Sequence, residues 1–331
     1  MIKRLYRAFI QASFFLCLFL LPVAFNIPIV AQQTPNSTEQ IAIPRPDADS
    51  IVLPVTVMDK RDNYIDGLGK NAFAIYENKV QREITFFDGG DRPLSIGIIF
   101  DLSGSMTSHK QLPAAWNGLL RFIGLSHSDN EYFVIAFADR PVLRIGWTRG
   151  SKAAAEEFSN YNLTDKGHGH TALYDACYLG LEMMKGSAHS RQAILLISDG
   201  EDNDSQHTFT NLRERLKETG VMLYSIGLSI ESDPGSSLGG GGKDVMNELS
   251  SISGGVAVFP DSEKKIGEFF DRIAKELRHQ YLIGFKPSED KADSKWHKIK
   301  IKVTPPPTAA GHIPDVSVRN RDGYYATKNP H

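Results

Sequence analysis

The sequence predicts an α/β fold: a doubly wound, mostly parallel sheet, with a small β domain formed by the N- and C-terminal flanks. Between about residues 92 and 279, continuous apolar runs such as "LSIGIIF", "EYFVIAF", "AILLIS" and "VMLYSIGL" alternate with helix-period segments. That is the pattern of parallel strands covered on both faces. In the flanks, 51–91 and 280–331, apolar and polar residues instead alternate one by one, as in half-buried strands. With 331 residues, 41% of them hydrophobic, the chain is long enough to bury one large core and a smaller one.

The first residues follow another pattern. Lys3, Arg4 and Arg7 precede an apolar run from Phe14 to Leu21 that continues to Phe25, and small Ala31 in "IVAQQ" precedes polar sequence. This is the layout of a secretory signal over 1–31. Pro22, Asn26 and Pro28 interrupt the run, which approaches the ~18 apolar residues of a membrane span. Export to the periplasm or the exterior is therefore expected, with an uncleaved N-terminal anchor as the alternative. Cys17 follows Phe-Phe-Leu, without the small residues that precede a lipid-modified cysteine. Removal of the signal leaves Cys177 as the only cysteine, so no intrachain disulfide can form. Residues 32–50, "QQTPNSTEQIAIPRPDADS", are polar and proline-bearing and read as a linker.

The N-terminal β segment, 51–91, begins with "IVLPVTVMD", turns through "KRDNYIDGLG", and continues with "AFAIYEN" and "VQREITFF". Val80, Ile84 and Phe86 alternate against Gln81, Glu83 and Thr85, and Asn78-Lys79 between the runs predicts a hairpin. In the C-terminal segment, 280–331, Ile299, Ile301 and Val303 are set against an outward face of Lys298, Lys300 and Lys302. Neither flank is large enough to fold alone, so the two are expected to pair and bracket the middle.

In the middle, helices are expected near Leu112–Leu125, from Lys152, from Thr171, over Thr208–Thr219, from Lys243 and over Glu263–Leu277. Leu173, Ala176, Cys177, Gly180, Leu181 and Met184 fall on one helical stripe, which makes Cys177 a buried thiol. Folds of this type bind their ligands along the carboxyl edge of the sheet.

Three oxygen-bearing side chains arrive at that edge in "IGIIFDLSGSMTSHK": Asp101, Ser103 and Ser105, in a loop whose tightness asks for Gly104. Thr171, in "GHGHTALYDA", and Asp199, in "ILLISDGEDN", fall on the same edge. All five are hard oxygen donors and no cysteine joins them, which favours Mg²⁺, Mn²⁺ or Ca²⁺ over a structural zinc.

These residues resemble the von Willebrand factor type A domain and its metal-ion-dependent adhesion site, with "DLSGS" as the Asp-x-Ser-x-Ser signature, Thr171 as the separate threonine and Asp199 as the later aspartate. The resemblance implies that Ser103 and Ser105 ligate the metal directly and that Thr171 binds directly or through water. Asp101 and Asp199 would ligate or hold metal-bound waters. It implies a binding or adhesion module and not an enzyme, whose metal captures a Glu or Asp carboxylate from a protein partner. The flanks further resemble bacterial exported proteins in which such a domain is bracketed by β segments. His170 stands where the family commonly has glycine, close to His168. Either these are solvated loop histidines, or they touch the metal or partner and binding weakens between about pH 7 and 5.5.

Other signals carry less. Thirty-seven basic against 39 acidic residues give a charge of -2, with no Lys/Arg cluster along the chain, which argues against nucleic acid. "GSSLGGGGKD" fails as a phosphate loop at Ser237 and Asp244 and reads as a flexible loop near the same edge. "DKRDNYIDG" fails as a calcium loop, because Tyr64 and Phe73 would occupy ligand positions. Glu201, Asp202 and Asp204 read as surface charges. A serine nucleophile would need the Gly-x-Ser-x-Gly elbow that "DLSGSM" lacks. His109, His168 and His170 keep that reading open, and a metal site of hydroxyls and carboxylates can activate water, so a metal-assisted hydrolase is one alternative; a structural part of an envelope assembly is the other.

Overall fold

The computed structural model describes residues 50–107, 111–161, 170–228, 241–287, 295–307 and 313–325. The expected signal, Cys17, the linker up to Asp49, His109, His168 and most of the glycine-rich segment lie outside these residues. Among the described residues, no helix is long and apolar enough to cross a membrane.

Four strands open the fold: β1 (Ile51–Asp59), β2 (Phe73–Glu77), β3 (Val80–Arg82) and β4 (Ile84–Asp88). Then follow β5 (Ser95–Asp101), α1 (Gly104–Thr107), α2 (Gln111–Leu125), β6 (Glu131–Phe137), β7 (Pro141–Arg149), α3 (Ser151–Ser159) and α4 (Leu173–Met184). The alternation continues through β8 (Gln192–Ser198), α5 (Phe209–Glu218), β9 (Met222–Gly227), α6 (Gly241–Ser253), β10 (Ala257–Val258) and α7 (Glu263–Arg278). Four strands close it: β11 (Tyr281–Phe285), β12 (Trp296–Val303), β13 (Val316–Arg319) and β14 (Gly323–Tyr325).

The apolar runs of the middle form a six-stranded sheet, ordered β10-β9-β8-β5-β6-β7. Every neighbouring pair is parallel except β6 with β7. All seven residues of β5 are buried, because each of its faces carries a helical layer. Ile96, Ile98 and Phe100 point to the side covered by α2, α3 and α7, where Phe122, Phe158 and Phe270 lie. Ile99 points to the opposite side, against Leu181 of α4, Leu216 of α5 and Leu249 of α6. Cys177 belongs to this second core with no exposed surface, and burial pushes its thiol well above the ordinary value. The thiol packs as a small hydrophobe.

The flanks build two four-stranded antiparallel sheets, ordered β13-β1-β11-β4 and β14-β12-β2-β3. Ile51 pairs with Phe285 and Ile301 with Ile75, so each sheet joins strands from both ends of the chain. Their inner faces share one core that includes Val55, Ile75, Ile283, Phe285 and Ile301. Asn78 and Lys79 take φ of 49° and 73° in the β2–β3 turn, which matches the right-handed twist of a two-residue hairpin.

One expectation is corrected here. "VQREITFF" is not a single strand: it breaks at Glu83, sending β3 to the edge of one sheet and β4 to the edge of the other. Val80 therefore leaves the apolar face and is 55% exposed, while Ile84 and Phe86 are buried. The switch costs the ladder one residue and closes the sandwich at that corner.

Two buried carboxylates tie the layers together. Glu276 of α7 accepts from Thr56 on β1 at 3.3 Å and from Tyr224 on β9 at 2.7 Å, and it is ion-paired to Arg319 of β13. Glu77 accepts from Arg82 at 2.7 Å, from the ring of His297 at 2.9 Å and from the Tyr324 hydroxyl. Burial alone would raise its pKa, but those hydrogen bonds outweigh it and hold the carboxyl below its ordinary 4.5. A depressed carboxylate stabilises the fold above the unfolded value and loses that contribution as pH falls through the folded value. Denaturant titration should therefore show a stability loss below about pH 4.5 that the Glu77→Gln variant lacks. At neutral pH, Glu77→Ala should cost about 3–5 kcal/mol, because it leaves Arg82 without its buried partner. An unchanged denaturation midpoint would contradict this.

Candidate functional site

Strand β5 lies at the point where the sheet order reverses: the chain passes from β5 to β6 on one side and later returns to β8 on the other. In open α/β sheets this is the point, along the carboxyl edge, where ligands bind between loops that leave in opposite directions. Asp101 ends β5, and Asp199 directly follows β8.

Asp101 is fully buried and Ser103 is 1% exposed. The Asp101 carboxylate accepts the Ser103 backbone N–H at 2.9 Å through Oδ1 and the Ser198 hydroxyl at 2.6 Å through Oδ2. The Ser103 and Ser105 hydroxyls lie 3.1 Å apart, and Ser105 donates to Asp199 Oδ2 at 2.5 Å. The side chains of Ser103, Ser105 and Asp199 are thus linked by direct hydrogen bonds across nearly a hundred positions of sequence, and Asp101 joins them through the Ser103 backbone N–H.

The fifth, Thr171, is 3% exposed and is held by its backbone to the loop that carries Asp199. Its N–H donates to Asn203 Oδ1 at 2.8 Å, and its carbonyl accepts from the N–H groups of Asn203 and Asp204 at 2.9 and 3.1 Å. His170, beside it, is exposed.

Among the described residues, this arrangement has no positive partner. Burial pushes Asp101 up to about 7, Asp199 adds to the rise, and hydrogen bonds from Ser103 and Ser198 oppose it. Glu201 is raised as well, by burial and then by Asp199. Among the described residues, neither Asp101 nor Asp199 has an ion pair with a basic side chain. Hydroxyls and carboxylates that converge without a cation suit a hard divalent ion, which prefers oxygen and is neutralised by the carboxylates. Among the described residues, no three His, Cys, Asp or Glu side chains gather as a metal set, so a cation here would need the hydroxyls as further donors.

Gly104 opens α1 and is not among the glycines with positive φ. Two sequence expectations change. The glycine-rich segment is not loop throughout: Gly241 and Gly242 begin α6, and Gly242 sits against the backbone of Asp199 and Gly200. Asp202 is not a free surface charge. It is half-buried and accepts the Tyr174 N–H at 3.1 Å and the Ser205 hydroxyl at 2.5 Å. The N-cap residue of α4, Ala172, offers no side-chain acceptor, and Asp202 supplies one from outside the helix.

Sequence reasoning missed Ser198 and Asn203. Ser198 orients Asp101 and also accepts the Gly200 N–H at 2.9 Å. The one visible signal was a hydroxyl residue at the end of an apolar strand. Asn203, the latch on Thr171, left no local signal.

Residues 96–201 match the family model of the von Willebrand factor type A domain. The match starts in β5, ends just past Asp199 and takes in all five candidate positions, so this part of the chain has the sequence pattern of a von Willebrand factor type A domain. Similar solved structures include the conserved hypothetical protein BatB from Bacteroides thetaiotaomicron, at 17% identity and TM-score 0.43, over 55% of this chain and 98% of that one. A von Willebrand factor type A protein from Catenulispora acidiphila is similar at 12% identity and TM-score 0.47, over 79% of this chain and 76% of that one. Proximal thread matrix protein 1 from the mussel byssus, with a zinc-occupied MIDAS motif, is similar at 17% identity and TM-score 0.46, over 61% of this chain and 49% of that one. No curated protein sequence matches the chain.

Proposed function

We propose that the chain is an extracytoplasmic protein-binding module whose von Willebrand factor type A domain holds a divalent cation, Mg²⁺ foremost, and uses it to capture a Glu or Asp carboxylate of a partner protein. One observation carries the reading: Asp101 and Asp199 converge with the Ser103 and Ser105 hydroxyls at the carboxyl edge, with no ion-paired basic side chain among the described residues. Ser103, Ser105 and Thr171 would hold the ion, and Asp101 and Asp199 would hold it or its waters. The bound ion supplies a concentrated positive charge with affinity for an incoming carboxylate.

The chain's own residues do the rest. Asp101, fixed by Ser103 and Ser198, cannot swing away from the site. Hydroxyl ligands add no negative charge, so the cation keeps much of its attraction for a foreign acid group. Among the described residues, Ser103 faces Ser105 and not a histidine, which favours holding a cation over nucleophilic attack. The N-terminal layout of charge, apolar run and small residue supports an exported setting.

Calorimetric titration tests the first half: Mg²⁺ should bind the intact protein, and Ser103→Ala or Ser105→Ala should weaken it at least about tenfold, roughly 1.4 kcal/mol. Partner capture from a cell-envelope extract should then occur in Mg²⁺ and fail in chelator and in the Ser105→Ala variant. Absence of Mg²⁺ binding to the wild type would overturn the reading.

A further inference from the structure

The lysines of β12 form part of something larger than a solvated face. Lys298, Lys300 and Lys302 project from one side of the strand, exposed, while Ile299 and Ile301 between them are buried. Residues two apart on a strand stand roughly 6.6 Å apart. Three further cations, Lys79 from the hairpin turn and Arg213 and Lys217 from α5, line the same groove of about 990 Å³. The six come from separate stretches of a chain whose overall charge is only -2.

The groove is only partly neutralised: Asp322 is the one acidic residue of its lining, against six basic ones. Arg213 is paired with Glu248 at 3.1 Å and Lys217 with Glu214 at 3.0 Å. Among the described residues, Lys79, Lys298 and Lys300 have no ion pair. Like charges gathered on one sheet face repel. Protection of a sheet edge does not account for them, since β12 is interior, paired with β14 over Trp296–Lys298 and with β2 over Ile299–Val303.

Trp296 and Tyr76 line the groove, and both rings are already covered by cations. Lys217 Nζ lies 5.2 Å from the Trp296 ring centre and 5.9 Å from that of Tyr325, and Lys302 Nζ lies 5.0 Å from that of Tyr76. Rings capped in this way are poor platforms for nucleic-acid bases, which need an open face to stack on. The same contacts hold the ammonium groups in place for a ligand that offers charge alone. A strand with acidic residues at alternate positions has the spacing of the β12 lysines.

We propose that the outer face of β12, walled by α5 and the β2–β3 turn, is a second binding site, for an extended acidic segment of a partner protein with carboxylates at every other residue. This site is independent of the metal centre. It is tested with the full chain in chelator, which silences the metal centre, by fluorescence anisotropy with a labelled peptide of alternating glutamate and threonine.

Binding at low salt is expected, weakening about tenfold or more once the salt shortens screening to a few ångströms. A peptide of the same composition in Glu-Glu-Thr-Thr blocks should bind at least about threefold more weakly, since half its acids miss the lysine register. The double variant Lys298→Glu/Lys300→Glu should lose about tenfold or more in affinity. Should charge reversal prevent folding, Lys298→Ala/Lys300→Ala serves instead, with the melting temperature as the check on folding. The proposal is overturned by no binding in chelator at low salt, by equal binding of the block peptide, by unchanged affinity in the folded variants, or by tighter binding of an oligothymidylate of matching length.

Discussion

Asp101→Asn is expected to abolish the thermal response to Mg²⁺ while leaving the metal-free protein as stable as the wild type or more so. Removal of a fully buried side chain with two good hydrogen bonds ordinarily destabilises. Here the sign reverses, because the metal-free protein must bury a carboxyl pushed up to about 7 beside a second carboxylate. Asparagine keeps the shape and an acceptor for the Ser103 N–H, and it removes the charge.

The wild type should gain about 2.7 kcal/mol at a hundredfold excess of Mg²⁺ over Kd, which is several degrees in melting temperature for a domain of this size. The variant should gain nothing. Scanning calorimetry with Mg²⁺ and with chelator reads both quantities. A retained Mg²⁺ shift, or a metal-free variant destabilised by more than about 1 kcal/mol, would count against the assignment of Asp101.

Gly200→Ala should have the largest effect on the fold of any single methyl group added at the site. Gly200 has φ of +84°, and a Cβ there would lie 2.6 Å from the Gly242 carbonyl oxygen. The left-handed backbone alone costs a non-glycine residue roughly 1–2 kcal/mol. The obstacle is also backbone at the start of α6, which cannot turn aside as a side chain can. Together these should cost about 3–5 kcal/mol, and any relaxation that relieves the contact moves Asp199. The variant should melt lower and bind Mg²⁺ more weakly. Gly220→Ala is the control: nothing lies within 4 Å of its Cβ position and its φ is not positive. It should change stability by no more than about 0.5 kcal/mol. A Gly200→Ala protein that melts with the control would contradict the account.

Much of the architecture was legible because burial writes itself into the order of residues. A strand covered on both sides must be apolar throughout, so β5, β6, β8 and β9 stood out, and the donors that end β5 and follow β8 stood out with them. Residues that act across the fold were not legible. The break at Glu83 is invisible because the alternation runs through it, and only the partners of β3 and β4 show that they belong to different sheets. Asp202 and Asn203 resemble surface polar residues until α4 and Thr171 are brought against them. The lysines of β12 read as an ordinary wet face, because Lys79, Arg213 and Lys217 reach the same groove from other parts of the chain.

The sandwich has a further consequence for how this molecule is made. Strand β11 lies between β1 and β4, so the last-synthesised layers complete the first-synthesised ones only after the whole α/β unit has been threaded between them. During synthesis β1 and β4 emerge with Val55 bare and their partner strands still to come, while β2 has only β3 to pair with. An isolated hairpin such as β2–β3 is marginal in water. Those strands wait until late partners arrive, and closing so long a loop comes last in the kinetics of maturation.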